Sequence, residues 1–206
     1  MIAALLLLLQ GSAATLPPPK DLDAEIAQVM KEWAGDYDSP PGMPERHAVV
    51  RPIAVPKLAK RAMFVEVRDG GAQGKIIFQR IIAFTDDPDR VRNWAASYYF
   101  PDAAAHARLD QRGAEAAAIG PDDISVFDPR PGACAINIFP EGGRYMLTAR
   151  KEECRIVSKL RPGFVFHPEF RLSVGGERFG FYEQGFFENG EPAAPPLTYE
   201  LMKVKK

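Results

Sequence analysis

The strongest constraint on what this chain can fold into is a series of ten short runs rich in β-branched and aromatic residues. Most are closed off by Gly, Pro or Asp clusters. The runs are Ala48–Ile53, Arg61–Arg68, Lys75–Phe84, Ile124–Asp128, Ala133–Phe139, Arg144–Ala149, Cys154–Leu160, Phe164–Val174, Arg178–Phe187 and Thr198–Val204. Segments of that length and composition, bounded by turn-forming residues, read as strands. Ten of them at close spacing favour a closed antiparallel barrel or a sandwich over a parallel α/β sheet. With 206 residues, no internal repeat and no second boundary, the chain is expected to form one β-rich domain with a hydrophobic core of its own.

Two interruptions are expected. Asp21–Ala34 places Leu22, Ile26, Val29, Met30 and Trp33 on one helical stripe, with Asp21 or Asp23 to cap the start and Gly35 to end it. Between Asp86 and Gly120, the alanine-rich runs Val91–Tyr98 and Ala103–Ala118 read as one or two short helices in a long connection. The Asp86-Asp87-Pro88-Asp89 stretch that opens it reads as a turn, with Pro88 starting a helix.

Ahead of the domain, Met1–Leu9 is almost wholly apolar and is followed by Gly11-Ser12-Ala13-Ala14. That run is too short to span a bilayer as a helix and reads as a secretory signal over residues 1–14, although no Lys or Arg precedes it. Residues 15–20, with three consecutive prolines, read as a stiff linker to a domain over 21–206. The expected location is therefore outside the cytoplasm, periplasmic or secreted. There, the even pair Cys134 and Cys154 favours a disulfide over two separate thiols, one of them reactive. The formal net charge of -1, with no basic run carrying interleaved aromatics, argues against nucleic acid as a partner.

Several landmarks follow one another in a recognisable order. Trp33-Ala34-Gly35-Asp36-Tyr37-Asp38-Ser39 leads in, then Met63-Phe64-Val65-Glu66 and Phe78-Gln79-Arg80-Ile81. Cys134, Gly143-Arg144-Tyr145, Cys154, Glu183-Gln184-Gly185 and Tyr199-Glu200-Leu201-Met202-Lys203 complete the series. In order and spacing, over about Ile26 to Lys205, these resemble the CpcT/CpeT family of chromophore lyases. The resemblance implies a mainly β fold: a single antiparallel calyx-like (lipocalin-like) barrel with an N-terminal helix and a short helical insertion. It also implies a linear tetrapyrrole (bilin) as bound ligand, with no other cofactor, and a phycobiliprotein-like acceptor for a true lyase. The chain departs from the family where a Tyr-Val-Glu-Gln-like strand is replaced by Phe64-Val65-Glu66-Val67. A Pro-Tyr-Arg-Gln-Arg-like segment likewise keeps only Gln79 and Arg80.

Strand alternation supplies a candidate site. Phe64 and Glu66 share one face of their strand, and Phe78 and Arg80 share one of theirs. A turn centred near Ala72 would bring all four to the same side of a hairpin. There Arg80 could hold a ligand carboxylate while Glu66 accepts from a pyrrole or hydroxyl donor; the bland alternative is an internal ion pair that fixes packing. Glu183 is a second candidate acid, with Tyr182 and Gln184 on the opposite face of its strand. His47, His106 and His167 are isolated, and no metal site is expected. Three functions fit these residues: a CpcT/CpeT-like bilin lyase, an exported carrier of another apolar or carboxylated small molecule, and a structural barrel filled by its own side chains. A homodimer is compatible with each.

Overall fold

The computed structural model describes residues 22–85, 94–101, 119, 124–127, 136–149, 151–152, 154–158, 163, 165–175 and 177–205. The expected leader, linker, Asp86–Asp89 turn, Ala103–Ala118 helix and Cys134 lie outside them. One helix, α1 (Leu22–Trp33), opens the described chain, with Asp23 and Glu25 in its first turn and Lys31 in its last. That charge order suits the helix dipole. Ile26, Val29 and Trp33, spaced by three and four residues, are its buried stripe.

The rest is strand. β1 (Gly35–Asp38), β2 (Arg46–Val55), β3 (Ala59–Asp69), β4 (Lys75–Thr85) and β5 (Trp94–Pro101) come first. β6 (Ile124–Phe127), β7 (Ile136–Glu141), β8 (Arg144–Ala149), β9 (Ile156–Ser158), β10 (Val165–Gly175), β11 (Arg178–Phe186) and β12 (Leu197–Lys203) follow. Every pairing among them is antiparallel. Traced from neighbour to neighbour, β1-β2-β3-β4-β5-β7-β8-β10-β11-β12 returns to β1, a closed barrel of ten strands. Between β5 and β10 the wall is built twice, end to end. β7 and β8 fill it beside Trp94–Ala96 and Phe170–Val174, and β6 and β9 fill it beside Phe100–Pro101 and Val165–Phe166.

Two strands correct the reading from sequence. β1 is one the run-by-run reading passed over, because Gly-Asp-Tyr-Asp has turn composition. It is a strand because Tyr37, 1 % exposed, is inserted between β2 and β12. The Val91–Tyr98 stretch, read as helical from its alanines, contributes Trp94–Tyr98 to β5, where 95–98 pair with β4 and Trp94 pairs with Ile138 of β7. Tertiary pairing overrides intrinsic preference in both places.

The inner face of the barrel carries Tyr37, Ala48, Val50, Met63, Val65, Val67, Phe78, Ile82, Phe84, Leu147, Phe170, Leu172, Phe179, Phe181 and Leu201 in one buried cluster with the stripe of α1. Trp33 packs 6.1 Å from Phe84, between ring centres, so α1 covers the end of the barrel where β3 begins and β4 ends. A second, smaller cluster of Val55, Ala62, Phe64, Ile81, Ala83 and Ile119 lies on the outer face of β3 and β4.

The candidate ligand site at the barrel mouth

The first question is which face each predicted residue takes. β3 and β4 pair in register Phe64↔Ile81, Val65↔Arg80, Glu66↔Gln79 and Val67↔Phe78, and then Arg68↔Ile76. Ile77 is skipped, so the strand bulges there. From the turn outward to Ile76 the pairing is centred on Ala72, as expected, but the one extra residue shifts everything beyond it by one position. Phe78 and Arg80 therefore face the lumen with Val65 and Val67, while Phe64 and Glu66 face outward. The expected four-residue cluster does not form; its two halves lie on opposite sides of the wall.

The outward half is closed on itself. Glu66, 4 % exposed, accepts from Arg68 Nε at 2.6 Å and from Gln79 Nε2. Phe64 is buried in the outer apolar cluster, with the Arg51 guanidinium 4.8 Å from its ring centre.

The inward half finds a different acid. Arg80 Nη2 donates to Glu183 Oε1 at 2.8 Å, and the two side chains are only 14 % and 12 % exposed. In the ring of ten strands β4 and β11 are five steps apart in either direction, so this ion pair crosses the full width of the lumen. Below it Phe78 and Phe181 meet edge to face at 4.5 Å, also across the lumen, and Phe181 continues to Phe170 and Tyr199, both at 5.8 Å. Arg80 lies 4.1 Å above the Phe78 ring, a cation–π contact that shields one side of the guanidinium. Tyr182 and Gln184 sit on the other face of β11, where the Tyr182 hydroxyl donates to Gln184 Oε1 at 2.9 Å.

A second charged pair, which the sequence reading did not single out, stands at the rim. Arg46, two residues before Ala48 on the inner row of β2, donates to Asp69 on β3 and lies 5.8 Å over the Tyr199 ring. Burial pushes the Tyr199 phenol above its ordinary pKa; Arg46 pulls it down, while Asp69 and Glu183 push it up. The end of the barrel opposite α1 is thus lined by Arg46–Asp69, Tyr199 and Arg80–Glu183 over an aromatic floor. The one signal in the sequence for Arg46 was its period-2 spacing from Ala48 and Val50.

The fold has a solved counterpart. The chain is similar in structure to the CRL protein of Arabidopsis. The superposition has a TM-score of 0.59 at 15 % identity and covers 88 % of this chain and 97 % of that one. At such identity the likeness to the CRL protein is a likeness of fold. No family model and no curated protein matches the sequence.

The remaining candidates fall elsewhere. His47 Nδ1 lies 2.7 Å from Asp38 Oδ1 and His167 Nδ1 lies 3.1 Å from the Lys151 carbonyl, while His106 is outside the described residues. Among the described residues no group of three or more His, Cys, Asp and Glu side chains is placed to hold a metal ion, and no helix is long and apolar enough to cross a membrane. Cys154 is buried against Ile156 and Phe166 and is not a free thiol; its expected partner Cys134 is outside the described residues.

Proposed function

We propose that this protein is a calyx-type carrier that binds a carboxylated, largely apolar small molecule at the barrel mouth, outside the cytoplasm. Linear tetrapyrroles, the ligand class implied by the CpcT/CpeT resemblance, are the first to test. The observation that carries this reading is the Arg80–Glu183 pair set among aromatic rings inside the barrel. A buried ion pair is a poor way to stabilise a core, because desolvation of both charges offsets their attraction and apolar residues of similar size often do better. Its presence in a wall otherwise lined by Phe, Val, Leu and Met is better explained by recognition. Arg80 donates to Glu183 and to the Gln79 carbonyl, so a ligand carboxylate would take the place of Glu183 on the guanidinium, while the rings offer flat apolar surface to the ligand body. Carriage without covalent transfer is favoured because Cys154 is not a free thiol and the family's Tyr and Arg are replaced by Ile76–Phe78. The apolar Met1–Leu9 run supports export.

The test is an absorbance titration of the purified chain with biliverdin. Because Arg80→Gln alone would strand Glu183, the informative variant is Arg80→Gln with Glu183→Gln, which removes both charges and keeps both volumes. It is expected to unfold in urea at a midpoint close to wild type, yet to bind at least about tenfold more weakly, the scale of one lost charge-assisted hydrogen bond. A wild-type chain that leaves the biliverdin spectrum unchanged, or a variant that binds equally well, would sink the proposal.

A further inference from the structure

β12 outruns its neighbour β1. Their pairing is confined to Tyr37↔Lys203 and Asp38↔Met202, and at Ser39 the chain turns away. Continued in register, β1 would set Pro40 opposite Glu200, and proline has no N–H to donate. Pro40 instead opens a turn, closed by the Met43 N–H on its carbonyl at 3.2 Å, with Gly42 at a φ of 85°. Ser39 Oγ fixes this loop, accepting from the Arg46 N–H at 2.9 Å and donating to the Pro44 carbonyl at 2.8 Å.

A notch in the barrel wall results. Backbone groups along an antiparallel strand point alternately to its two neighbours. The Lys203 N–H goes to the Glu177 carbonyl on the β11 side, and the Val204 N–H to the Asp36 carbonyl on the β1 side. By that alternation the N–H and C=O of Thr198 and of Glu200 face the notch, and no backbone group among the described residues pairs with them there. Met43, Pro44, Arg46 and Thr198–Leu201 line a cavity of about 120 Å³ at this place. Met43, 63 % exposed, is the most exposed large apolar side chain among the described residues.

The chemistry of the notch favours an anion. Arg46 Nε is buried without a hydrogen-bond partner, while Nη1 is held by Asp69 and by the Glu45 carbonyl. The other carboxylates nearby are turned elsewhere. Glu200 reaches toward Arg144 and Arg178, at 3.6 and 3.9 Å, and Glu45 lies against Gly71.

We propose that the notch takes the free carboxyl end of an extended peptide. The peptide backbone pairs with Thr198 and Glu200 in the place that β1 leaves vacant, as in strand addition at an open sheet edge. The terminal carboxylate meets Arg46 in a charge-assisted contact, and an apolar last side chain lies against Met43 and Pro44. An edge already formed, beside a loop already fixed, loses little freedom on binding. Neither Arg80 nor Glu183 takes part, so this inference stands apart from ligand binding in the lumen.

Fluorescence anisotropy of fluorescein-labelled Thr-Val-Thr-Val with the full chain tests it, beside the same peptide ending in an amide. The free acid is expected to bind saturably, and the amide at least about tenfold more weakly. Arg46→Gln should bring the acid down to the level of the amide; it strands only Asp69, which is already 52 % exposed. Thr198→Pro, which removes an N–H facing the notch, should weaken both peptides. Arg171→Gln, at an exposed arginine paired with Glu169 on β10, should change neither. Acid against amide is compared on the unaltered chain, so the test survives a variant that fails to fold. Equal binding of the two peptides, binding of neither, an Arg46→Gln chain that still prefers the acid, or displacement of the acid by acetate at equal concentration would overturn the site.

Discussion

Tyr37 shows how much one side chain can carry in a barrel wall. It is buried, its hydroxyl donates to the Trp33 carbonyl at 2.8 Å, and its ring packs 5.4 Å from Phe179. Burial pushes its phenol up to about 12 from the ordinary 10.0. The folded chain therefore keeps Tyr37 neutral where the unfolded chain ionises it. Its contribution is complete below pH 10 and disappears as the pH rises through 12, a loss of up to about 2 kcal/mol. Tyr37→Phe should remove that part of the alkaline loss. Urea midpoints at pH 8 and pH 11 are expected to fall less in the variant than in wild type. At this scale the sequence was informative about residue type and poor about partners. Arg80 and Phe78 could be placed on one face from alternation alone, and they do share the lumen. That Arg80 would meet Glu183, 103 residues away, depends on ring closure, which no local pattern encodes.

The β3–β4 hairpin decides which residues reach the mouth. Its turn was legible from Gly70-Gly71 and Gly74, but the bulge at Ile77 was not, because an extra residue in a strand leaves no compositional trace. One residue was enough to send Glu66 outward. Gly74 is the steric key to this turn, since a Cβ there would run into the Asp69 carbonyl. Gly74→Ala should cost more than about 3 kcal/mol in urea unfolding, through displacement of backbone that cannot yield cheaply. Gly142→Ala, at a φ of 57° with open space around it, should cost only about 1 kcal/mol. Similar losses for the two would mean that the tight approach of Gly74 to Asp69 is not what shapes the hairpin. β1 and β5 were misread for a related reason: their membership in the sheet comes from neighbours on both sides rather than from their own residues.

At the scale of the whole molecule, fold class was the most legible property, because ten punctuated apolar runs leave few architectures open. The likeness to the CRL protein and the unbroken ring of pairings agree with that reading. One expected cross-link also belongs to this scale. A bridge between Cys134 and Cys154 would tie the β6–β7 connection to the start of β9. Closing a loop of that length would stabilise the fold by roughly 3 kcal/mol. Native protein treated with iodoacetamide before and after reduction should gain label on both cysteines only after reduction, read by peptide mass spectrometry; labelling of both beforehand would rule the bridge out.

The barrel closes where β1 meets β12, through Tyr37↔Lys203 and Asp38↔Met202. During synthesis this has a cost in time: β1 emerges from the ribosome early but waits for the final strand of the domain before its second edge is matched. Until then, β1 and β11 each offer open backbone groups to any neighbouring nascent chain. A polypeptide cut short before Leu197 would keep both edges exposed and should depend on chaperones or precipitate, even though nearly all of its core residues are present.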